Sequence, residues 1–461
     1  MTRRAVCAGL AAAAAAAAVV RPAFAKSATE LTARKASVQL APEGYPATEV
    51  WSYDGSTPGP MIRAPQGARL QRRLVNALDV STSVHWHGIR IDNAMDGVAG
   101  LTQSPVAPGA GFDYDFTLPD AGTYWYHAHT NSMEQVARGL SGPLIVDEAD
   151  APDVDRDEVL MLDDWLIDPE TGGFMEPFAH PMMMSHGGRT GNLVGVNGRF
   201  DFALTAQRHE RLRLRLINAA NARIFVLRLQ GMAGWTVALD GMPLPAPETV
   251  EGELVLAPAQ WVDLIVDVTA EEGSPAGLLM GQDDDSWVAL ADMTVSGSRA
   301  RVARPAPAAL PPNPRTDLPD LAQARQFEMA MEGGAMAGLE SALFEGERLG
   351  FRELVSRGQF WALAGQVGRS DTPFASLSRG ETVRLRLSND TVFPHAMHLH
   401  GMHFRELRGD GSLGPLRDTI LSLPQEPLEI AFVADNPGKW LFHCHMLAHA
   451  ASGMTTWIEV A

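Results

Sequence analysis

The segment LFHCHMLAHAASGM occupies residues 441–454, close to the carboxyl end of the 461-residue chain. It contains Cys444, one of two cysteines in the sequence, with a histidine on each side. His449 and Met454 follow a short distance behind. Two imidazoles, one thiolate and a weak axial thioether are the ligands of a blue-copper site. The segment therefore predicts a mononuclear copper centre.

The residues before this motif predict a β-strand. Residues 440–442 are apolar, and the side chains of a strand alternate between its two faces. His443 and His445 then point to one face and Cys444 to the other. One strand could therefore serve two metal centres, joined through the backbone of Cys444. The alternative, a buried free cysteine beside hydrogen-bonded histidines, does not account for the histidine pairs described below.

Composition describes an ordinary soluble globular protein, with 46% hydrophobic and 20% charged residues. The formal net charge of −18 argues against nucleic acid as a partner. After residue 25 no segment approaches the roughly 18 continuous apolar residues of a membrane span, so we expect no stable membrane insertion. We expect a monomer.

Residues 1–25 predict a twin-arginine-type signal peptide. Two arginines at positions 3 and 4 precede an alanine-rich apolar run, and residues 23–25 have the small-x-small form of a cleavage site. The paired arginines indicate the twin-arginine route and a periplasmic or secreted protein. An uncleaved membrane anchor is the alternative.

Cleavage after this leader removes Cys7 and leaves Cys444 as the only cysteine of the mature chain. The compartment is oxidising, yet no internal disulfide can form. A metal ion that holds the thiolate explains why such a cysteine stays unpaired.

Three segments read as copies of one strand. Residues 69–75, 211–217 and 382–387 alternate with period 2 and predict β-strands with one polar face. Each copy closes on an asparagine: Asn76, Asn218 and Asn389. Long helical patterns are scarce, and 43 glycines and 31 prolines punctuate the chain. The pattern predicts an all-β protein built of β-sandwiches.

Counting forward from these asparagines locates histidine pairs. The residues at offsets +9 and +11 are, in chain order, His85 and His87, Leu227 and Leu229, and His398 and His400. The first and third copies therefore carry a His-x-His pair where the middle copy carries leucines.

A second repeat aligns residues 122–129 with residues 438–445. Ala128 takes the place of the cysteine, and Leu140 takes the place of Met454. The first unit thus keeps a histidine pair, His127 and His129, and lacks the mononuclear site. The repeats predict three sandwich domains, at 26–148, 149–300 and 326–461. A proline-rich linker, 301–325, joins the last two.

The four histidine pairs predict a multinuclear metal site. Period 2 places both members of a pair on one strand face, and two pairs come from each outer domain. If those domains abut, eight imidazoles converge, enough for three metal ions with room for a small ligand. Imidazole suits copper. The alternative, histidines on a polar strand face, is reasonable for one pair but not for four at repeat-equivalent positions.

The odd spacing between His395 and His398 places these two side chains on opposite faces of an extended chain. His395 is thereby predicted to lie with Cys444, His449 and Met454. Four histidines are left over, and solvated surface or loop positions would account for them: His180, His186, His209 and His403.

The pattern resembles the multicopper oxidases, specifically the three-domain bacterial type that includes laccase-like enzymes and periplasmic cuprous oxidases. The motifs that carry the resemblance are His85-Trp-His87-Gly, His127-Ala-His129, and residues 395–401 and 443–454. The resemblance implies three cupredoxin-like Greek-key β-sandwich domains and four copper ions per chain. It implies type 1 copper at His395, Cys444, His449 and Met454, and type 2 copper at His85 and His398. It implies a type 3 pair at His87, His127, His129, His400, His443 and His445.

The resemblance also implies the chemistry. Electrons from a reducing substrate would enter at type 1 copper and pass through Cys444, His443 and His445 to the cluster, where O2 is reduced to water. Asp96 matches an acidic residue that the family uses near type 2 copper, and a turn aspartate before a glycine is the alternative. Related cuprous oxidases tend to carry an acid where this chain has Ala450.

The sequence does not determine which reducing substrate the protein would oxidise. Methionines cluster at residues 182–184 and at Met329, Met331 and Met336, and soft thioethers favour Cu(I). Ordinary packing is the alternative use of methionine. A phenol or aromatic amine, or Mn(II), would also suit the predicted chemistry.

Two other classes of protein fit less well. A copper nitrite reductase does not need the type 3 histidines, all of which are present in this sequence. A non-enzymatic scaffold or copper store would be expected to lose ligands, and none of the predicted ligands is missing.

Overall fold

The computed structural model describes residues 29–314, 319–336 and 338–461. The predicted signal peptide and Cys7 lie outside the described residues. Strands dominate the described part, which confirms the all-β prediction. In the same ranges, no helix has both the length and the apolar character needed to cross a bilayer.

The first unit has two four-stranded sheets, with strand orders β2-β1-β4-β6 and β3-β8-β7-β5. Helix α1 (Ser132–Ala137) and a 3-10 turn (Asn93–Met95) lie between its strands. The strands are β1 (Thr29–Val38), β2 (Thr48–Tyr53), β3 (Ile62–Pro65), β4 (Arg69–Asn76), β5 (Val84–His87), β6 (Gly111–Thr117), β7 (Gly122–Ala128) and β8 (Ser141–Asp147).

The second unit has a six-stranded sheet, β10-β9-β12-β17-β14-β15, and a five-stranded sheet, β11-β19-β18-β13-β16. Its one described helix is α2 (Pro181–Ser185). The strands are β9 (Arg156–Trp165), β10 (Leu193–Val196), β11 (Ala203–Arg208), β12 (Arg211–Asn218), β13 (Phe225–Gln230), β14 (Met232–Leu239), β15 (Met242–Thr249), β16 (Leu254–Leu256), β17 (Trp261–Val268), β18 (Gly277–Gly281) and β19 (Trp287–Ser298).

The third unit has sheets β23-β20-β25-β30-β27-β28 and β24-β32-β31-β26-β29, and a hairpin, β21-β22. Its helices are α3 (Phe351–Ser356) and α4 (Leu447–Ala451), with a 3-10 turn at Leu321–Gln323. The strands are β20 (Arg325–Gly333), β21 (Ser341–Phe344), β22 (Glu347–Gly350), β23 (Trp361–Leu363), β24 (Ala375–Leu377), β25 (Glu381–Asn389), β26 (His395–Leu399), β27 (Phe404–Leu407), β28 (Leu413–Arg417), β29 (Thr419–Ser422), β30 (Leu428–Ala434), β31 (Gly438–Cys444) and β32 (Thr455–Val460).

The three strands that repeat in the sequence, β4, β12 and β25, occupy equivalent places. Each runs between one parallel and one antiparallel neighbour. Their closing asparagines are buried, and each side-chain amide donates to two backbone carbonyls while its oxygen accepts from the backbone two residues on. An asparagine supplies both donors and an acceptor, so it ties the end of the strand to the loop that follows.

Packing joins the outer units. One hydrophobic cluster contains core residues of both the first and the third unit, together with Trp261 and Met184 from the second. The second unit has a core of its own along β12 and β17. Apart from Arg325, which begins β20 at the end of the predicted linker, the sheets lie within the three predicted regions. The domain boundaries themselves stay predictions.

Candidate metal centres

Strand pairing brings the histidine pairs together. In the first unit β5 pairs antiparallel with β7, which sets His85 opposite His127. In the third unit β26 pairs antiparallel with β31, which sets His398 opposite His443. Directly opposite residues lie on the same sheet face, so each unit presents a compact histidine surface.

The two histidine surfaces meet, and eight imidazoles gather at the junction of the outer units. The Nε2 atoms of His400 and His443 are 3.2 Å apart. The Nε2 atom of His127 lies 3.4 Å from both Nδ1 of His87 and Nε2 of His445. The all-histidine sets whose ligand atoms lie within 4.8 Å of one another are His85, His87 and His398; His87, His127 and His445; and His129, His400 and His443.

These nitrogens fit a metal better than they fit one another. In the described part of the chain, the buried Nε2 atoms of His85, His129 and His398 have no hydrogen-bond partner. Burial, with a contribution from neighbouring imidazoles, holds the pKa of His87, His127, His129, His400 and His445 well below the ordinary value. The rings are therefore neutral, with lone pairs available to a transition metal.

A second group lies on the other side of the Cys444 strand. The Sγ atom of Cys444 is 3.7 Å from Nδ1 of both His395 and His449, and these two nitrogens are 3.0 Å apart. All three residues are fully buried. The outer Nε2 atoms are occupied, by the hydroxyl of Thr391 at 2.9 Å and by the carbonyl of His186 at 2.6 Å. The inner Nδ1 atoms thus face the sulfur, as a trigonal blue-copper site requires.

Met454 is buried beside this group, and its carbonyl accepts from the amide of Cys444. Burial raises the pKa of the Cys444 thiol to about 12, so a bound metal must displace its proton. Burial also lowers the pKa of His449 to about 4.

Asp96 and Asp418 buttress the cluster from opposite units. The carbonyl of Asp96 accepts from Nδ1 of His85 at 2.8 Å, and its two carboxylate oxygens lie 3.1 Å from Nδ1 of His400. The carbonyl of Asp418 accepts from Nδ1 of His398 at 3.0 Å, and its carboxylate lies 3.6 Å from Nε2 of His87. Partners of this kind fix the ring orientation and tautomer of metal ligands.

Gly97 allows Asp96 to reach the cluster. Its φ is 86°, and an added Cβ atom would lie 1.8 Å from the carbonyl oxygen of Val84. Only glycine fits so close to the strand that carries His85. The aspartate is therefore more than a turn residue, because its carboxylate and its carbonyl both contact cluster histidines.

The sequence pointed neither to Asp418 and Thr419 nor to the segment at His186 that covers the Cys444 group. Asp418 follows His398 by twenty residues, whereas Asp96 follows His85 by eleven, because the β27–β28 hairpin intervenes. The carbonyl of His186, predicted to be in a solvated loop, accepts from His449. His403, predicted to be solvated, is buried.

The methionine clusters separate into core and surface residues. Met329 and Met331 are fully buried in β20, so packing explains them. Met182 and Met336 are 63% and 81% exposed. Both lie beside the segment at His186 that covers the Cys444 group. Met182 is in α2, and Met336 follows Ala335, whose amide donates to the carbonyl of Ser185 at the end of α2.

A cavity of about 1070 Å³ leads from the surface to the histidine cluster. His129 and His443 form part of its inner wall, and the β21–β22 hairpin lies along it. Ala450 and Ala451 line the same space. The cavity gives small molecules access to the cluster without passing the Cys444 group.

Known proteins resemble this chain both in sequence and in architecture. Two family models, both described as multicopper oxidase, match residues 35–151 and residues 348–461. The multicopper oxidase MmcO of Mycobacterium tuberculosis is 30% identical, over 98% of this chain and 91% of its own. The chain belongs to the multicopper oxidase family.

Other relatives of this multicopper oxidase agree. Copper resistance protein A of Pseudomonas syringae pv. tomato is 26% identical over 89% of each chain. The crystal structure of Lac15 from a marine microbial metagenome is 42% identical, with a TM-score of 0.76 over 94% of this chain and 100% of its own. The crystal structure of a multicopper oxidase from Pseudomonas thermotolerans is 34% identical, with a TM-score of 0.81 over 94% of this chain and 98% of its own. The cupredoxin-like, multidomain fold is confirmed, and the chain is a copper-dependent oxidoreductase.

Proposed function

We propose that this oxidase couples one-electron oxidation of a reducing substrate at a type 1 copper to the four-electron reduction of O2 to water at a trinuclear cluster. The observation that carries the proposal is the pair of donor sets on one strand. Cys444 faces His395 and His449, while its neighbours His443 and His445 face the eight-imidazole cluster.

We assign four copper ions to these donor sets. Type 1 copper would be held by His395, Cys444, His449 and Met454. Type 2 copper would be held by His85 and His398, and the type 3 pair by His87, His127, His129, His400, His443 and His445. Bound copper would supply one-electron exchange at the first site and reduction of O2 at the others.

The chain's own residues support this chemistry. The backbone of Cys444 connects the two donor sets by covalent bonds alone. Asp96 accepts from Nδ1 of His400, which leaves Nε2 of that ring free toward Nε2 of His443. The buried Asp96 carboxyl group also stands close enough to the cluster to deliver protons to it, and this is the role that we propose for the acidic residue near type 2 copper. The cavity at His129 and His443 offers O2 a route in and water a route out.

The cover of the type 1 group supports Cu(I) as the reductant. His395 and His449 are fully buried, so a bulky phenol or aromatic amine cannot contact either ring. Electrons enter instead through the segment around α2, whose His186 carbonyl accepts from His449. The exposed thioethers of Met182 and Met336 flank this segment, and soft sulfur ligands select Cu(I) over the harder Mn(II).

Export through the twin-arginine route to the periplasm or cell exterior completes the proposal, because residues 1–25 have the form of such a leader. There the enzyme would act as a monomer on O2 and extracellular reductant.

Turnover of the copper-loaded enzyme with Cu(I), Mn(II) and a phenol tests the reductant. Cu(I) should give the highest kcat/KM, with water rather than hydrogen peroxide as the product. Replacing Met182 and Met336 with serine should raise KM for Cu(I) and leave the blue absorption unchanged. Met61→Ser, at a 53% exposed methionine of the first unit, is the matched control. Faster oxidation of the phenol, or no effect of the double change, would contradict the Cu(I) assignment.

A further inference from the structure

The type 2 histidines differ in how they are held. His85 is fixed within its own unit, by the carbonyl of Asp96. His398 is fixed by the segment 417–419, because its Nδ1 lies 3.0 Å from the Asp418 carbonyl and 3.1 Å from the Thr419 hydroxyl. Both partners turn Nε2 of His398 toward the cluster. The position of this ring therefore depends on what holds residues 417–419.

Strand pairing inside the third unit holds residues 417–419, with Arg417 opposite Phe404 and Thr419 opposite His398, and side chains of the middle unit hold them from the other side. Asp240 accepts from Arg417 through both carboxylate oxygens, Oδ2 to Nε at 2.9 Å and Oδ1 to Nη2 at 3.2 Å. The side-chain amide of Gln260 donates to the carbonyl of Thr419 at 2.9 Å. The ring of Trp261 packs against His87 with centroids 5.3 Å apart. The middle unit has no copper ligands at its repeat positions, yet three of its residues brace the cluster.

The local structure makes Asp240 a rigid support. It sits with Gly241 in the two-residue turn between β14 and β15, where both residues have positive φ, as a tight hairpin requires. Its carboxylate also accepts from the amide of Trp261, and the residue is fully buried. The Asp240 carboxylate is fully buried and the Arg417 side chain is partly buried, and a bidentate pair of this kind has a fixed geometry. The pair therefore transmits the position of the hairpin to Arg417.

We infer that Asp240 is a positioning residue for type 2 copper, acting through Arg417 and the carbonyl of Asp418 on His398. The inference rests on the proposed function, since it concerns the copper assigned to His85 and His398. It gives the middle unit a role in the cluster although its own histidine positions hold leucines. Loss of such a supporting partner typically weakens metal affinity by about 10- to 100-fold.

The test compares Asp240→Asn with Asp267→Asn. Asparagine tolerates the positive φ at position 240, so the change removes the charge and leaves the turn intact. Asp267 forms a buried bidentate pair with Arg211 in the same sheet, and none of its hydrogen bonds involves residues 417–419. This control makes the same chemical change at another buried carboxylate.

Copper-loaded proteins are titrated with a chelator while the type 2 electron paramagnetic resonance signal and the type 1 blue band are recorded. Asp240→Asn should lose the type 2 signal at about tenfold lower chelator concentration or less, with the blue band unchanged. Asp267→Asn should lower the unfolding temperature without this selective loss. Arg417→Lys keeps the positive charge and loses the bidentate hydrogen bonding of the guanidinium. This variant should also lose the type 2 signal at a lower chelator concentration than the native protein.

Equal retention of type 2 copper in native protein, Asp240→Asn and Arg417→Lys would overturn the inference. So would parallel loss in Asp240→Asn and Asp267→Asn, which would mean general destabilisation. If Asp240→Asn does not fold, the result with Arg417→Lys decides. Native protein that shows a blue band but no type 2 signal would instead overturn the proposed trinuclear cluster, and this inference with it.

Discussion

Cys444 determines whether the first donor set can bind copper. Its sulfur is buried and equidistant from the Nδ1 atoms of His395 and His449. Serine has nearly the same shape, but its hydroxyl is a poor substitute for a thiolate. Cys444→Ser should therefore abolish the blue absorption and all substrate oxidation. The free energy of unfolding of the metal-free protein should change by only about 1 kcal/mol. An unchanged absorption spectrum would refute the assignment.

Asp96 should act at the cluster and not at the electron entrance. Its carboxylate contacts Nδ1 of His400 and belongs to a donor set with His85 and His400, whereas Cys444 groups with His395 and His449. Asp96→Asn should slow reoxidation of the reduced enzyme by O2 about 100-fold, the usual contribution of a positioned proton donor. Anaerobic reduction of the blue band, followed by stopped flow, should keep its rate. Asp113→Asn, at an exposed residue of β6, serves as the control, and equal reoxidation rates in both variants would exclude the proposed role.

At the scale of elements, the sequence contains a local signal for much of the architecture. Period-2 alternation predicts β4, β12 and β25, because a half-buried strand must alternate. The asparagines that end these strands mark equivalent loops, since each ties its strand to the following turn. The offsets from these asparagines then locate the histidine pairs. The parity between His395 and His398 separates the two donor sets without any knowledge of the fold.

Other features have no local signal. Asp240 and Gln260 reach residues 417–419 across more than 150 positions of sequence. Such a contact depends on how the units pack, and periodicity does not report it. The His449 side chain donates to the backbone carbonyl of His186. Every residue type has such a carbonyl, so the sequence does not reveal this contact. The hairpin β27–β28 obscures the equivalence of Asp418 with Asp96.

The cavity beside α4 should control access of O2. Ala451 lines it and is exposed, so a larger side chain at this position can enter the space without displacing the core. Ala451→Phe should lower kcat/KM for O2 several-fold and leave anaerobic reduction of the blue band unchanged. Val255→Phe, at an exposed position of β16, adds the same ring elsewhere. Identical O2 kinetics in both variants would show that O2 uses another route.

For the whole molecule, the cluster should act as a clamp between the outer units. Each of its three close histidine sets combines residues of the first unit with residues of the third. Metal that binds only the folded state stabilises it by mass action, by about 4 kcal/mol at a thousandfold excess over Kd. Removal of copper should therefore lower the unfolding temperature measured by calorimetry. The Cys444→Ser variant keeps the bridging histidines and should retain most of this shift, whereas equal unfolding temperatures with and without copper would exclude the clamp.

In the proposed enzyme, one strand joins two copper sites at the junction of the outer units. Anomalous diffraction at the copper absorption edge, from crystals of the copper-loaded enzyme, tests it most directly. We expect one peak between Cys444, His395 and His449, and three among the eight clustered imidazoles. A single peak at Cys444, or peaks away from these histidines, would contradict it.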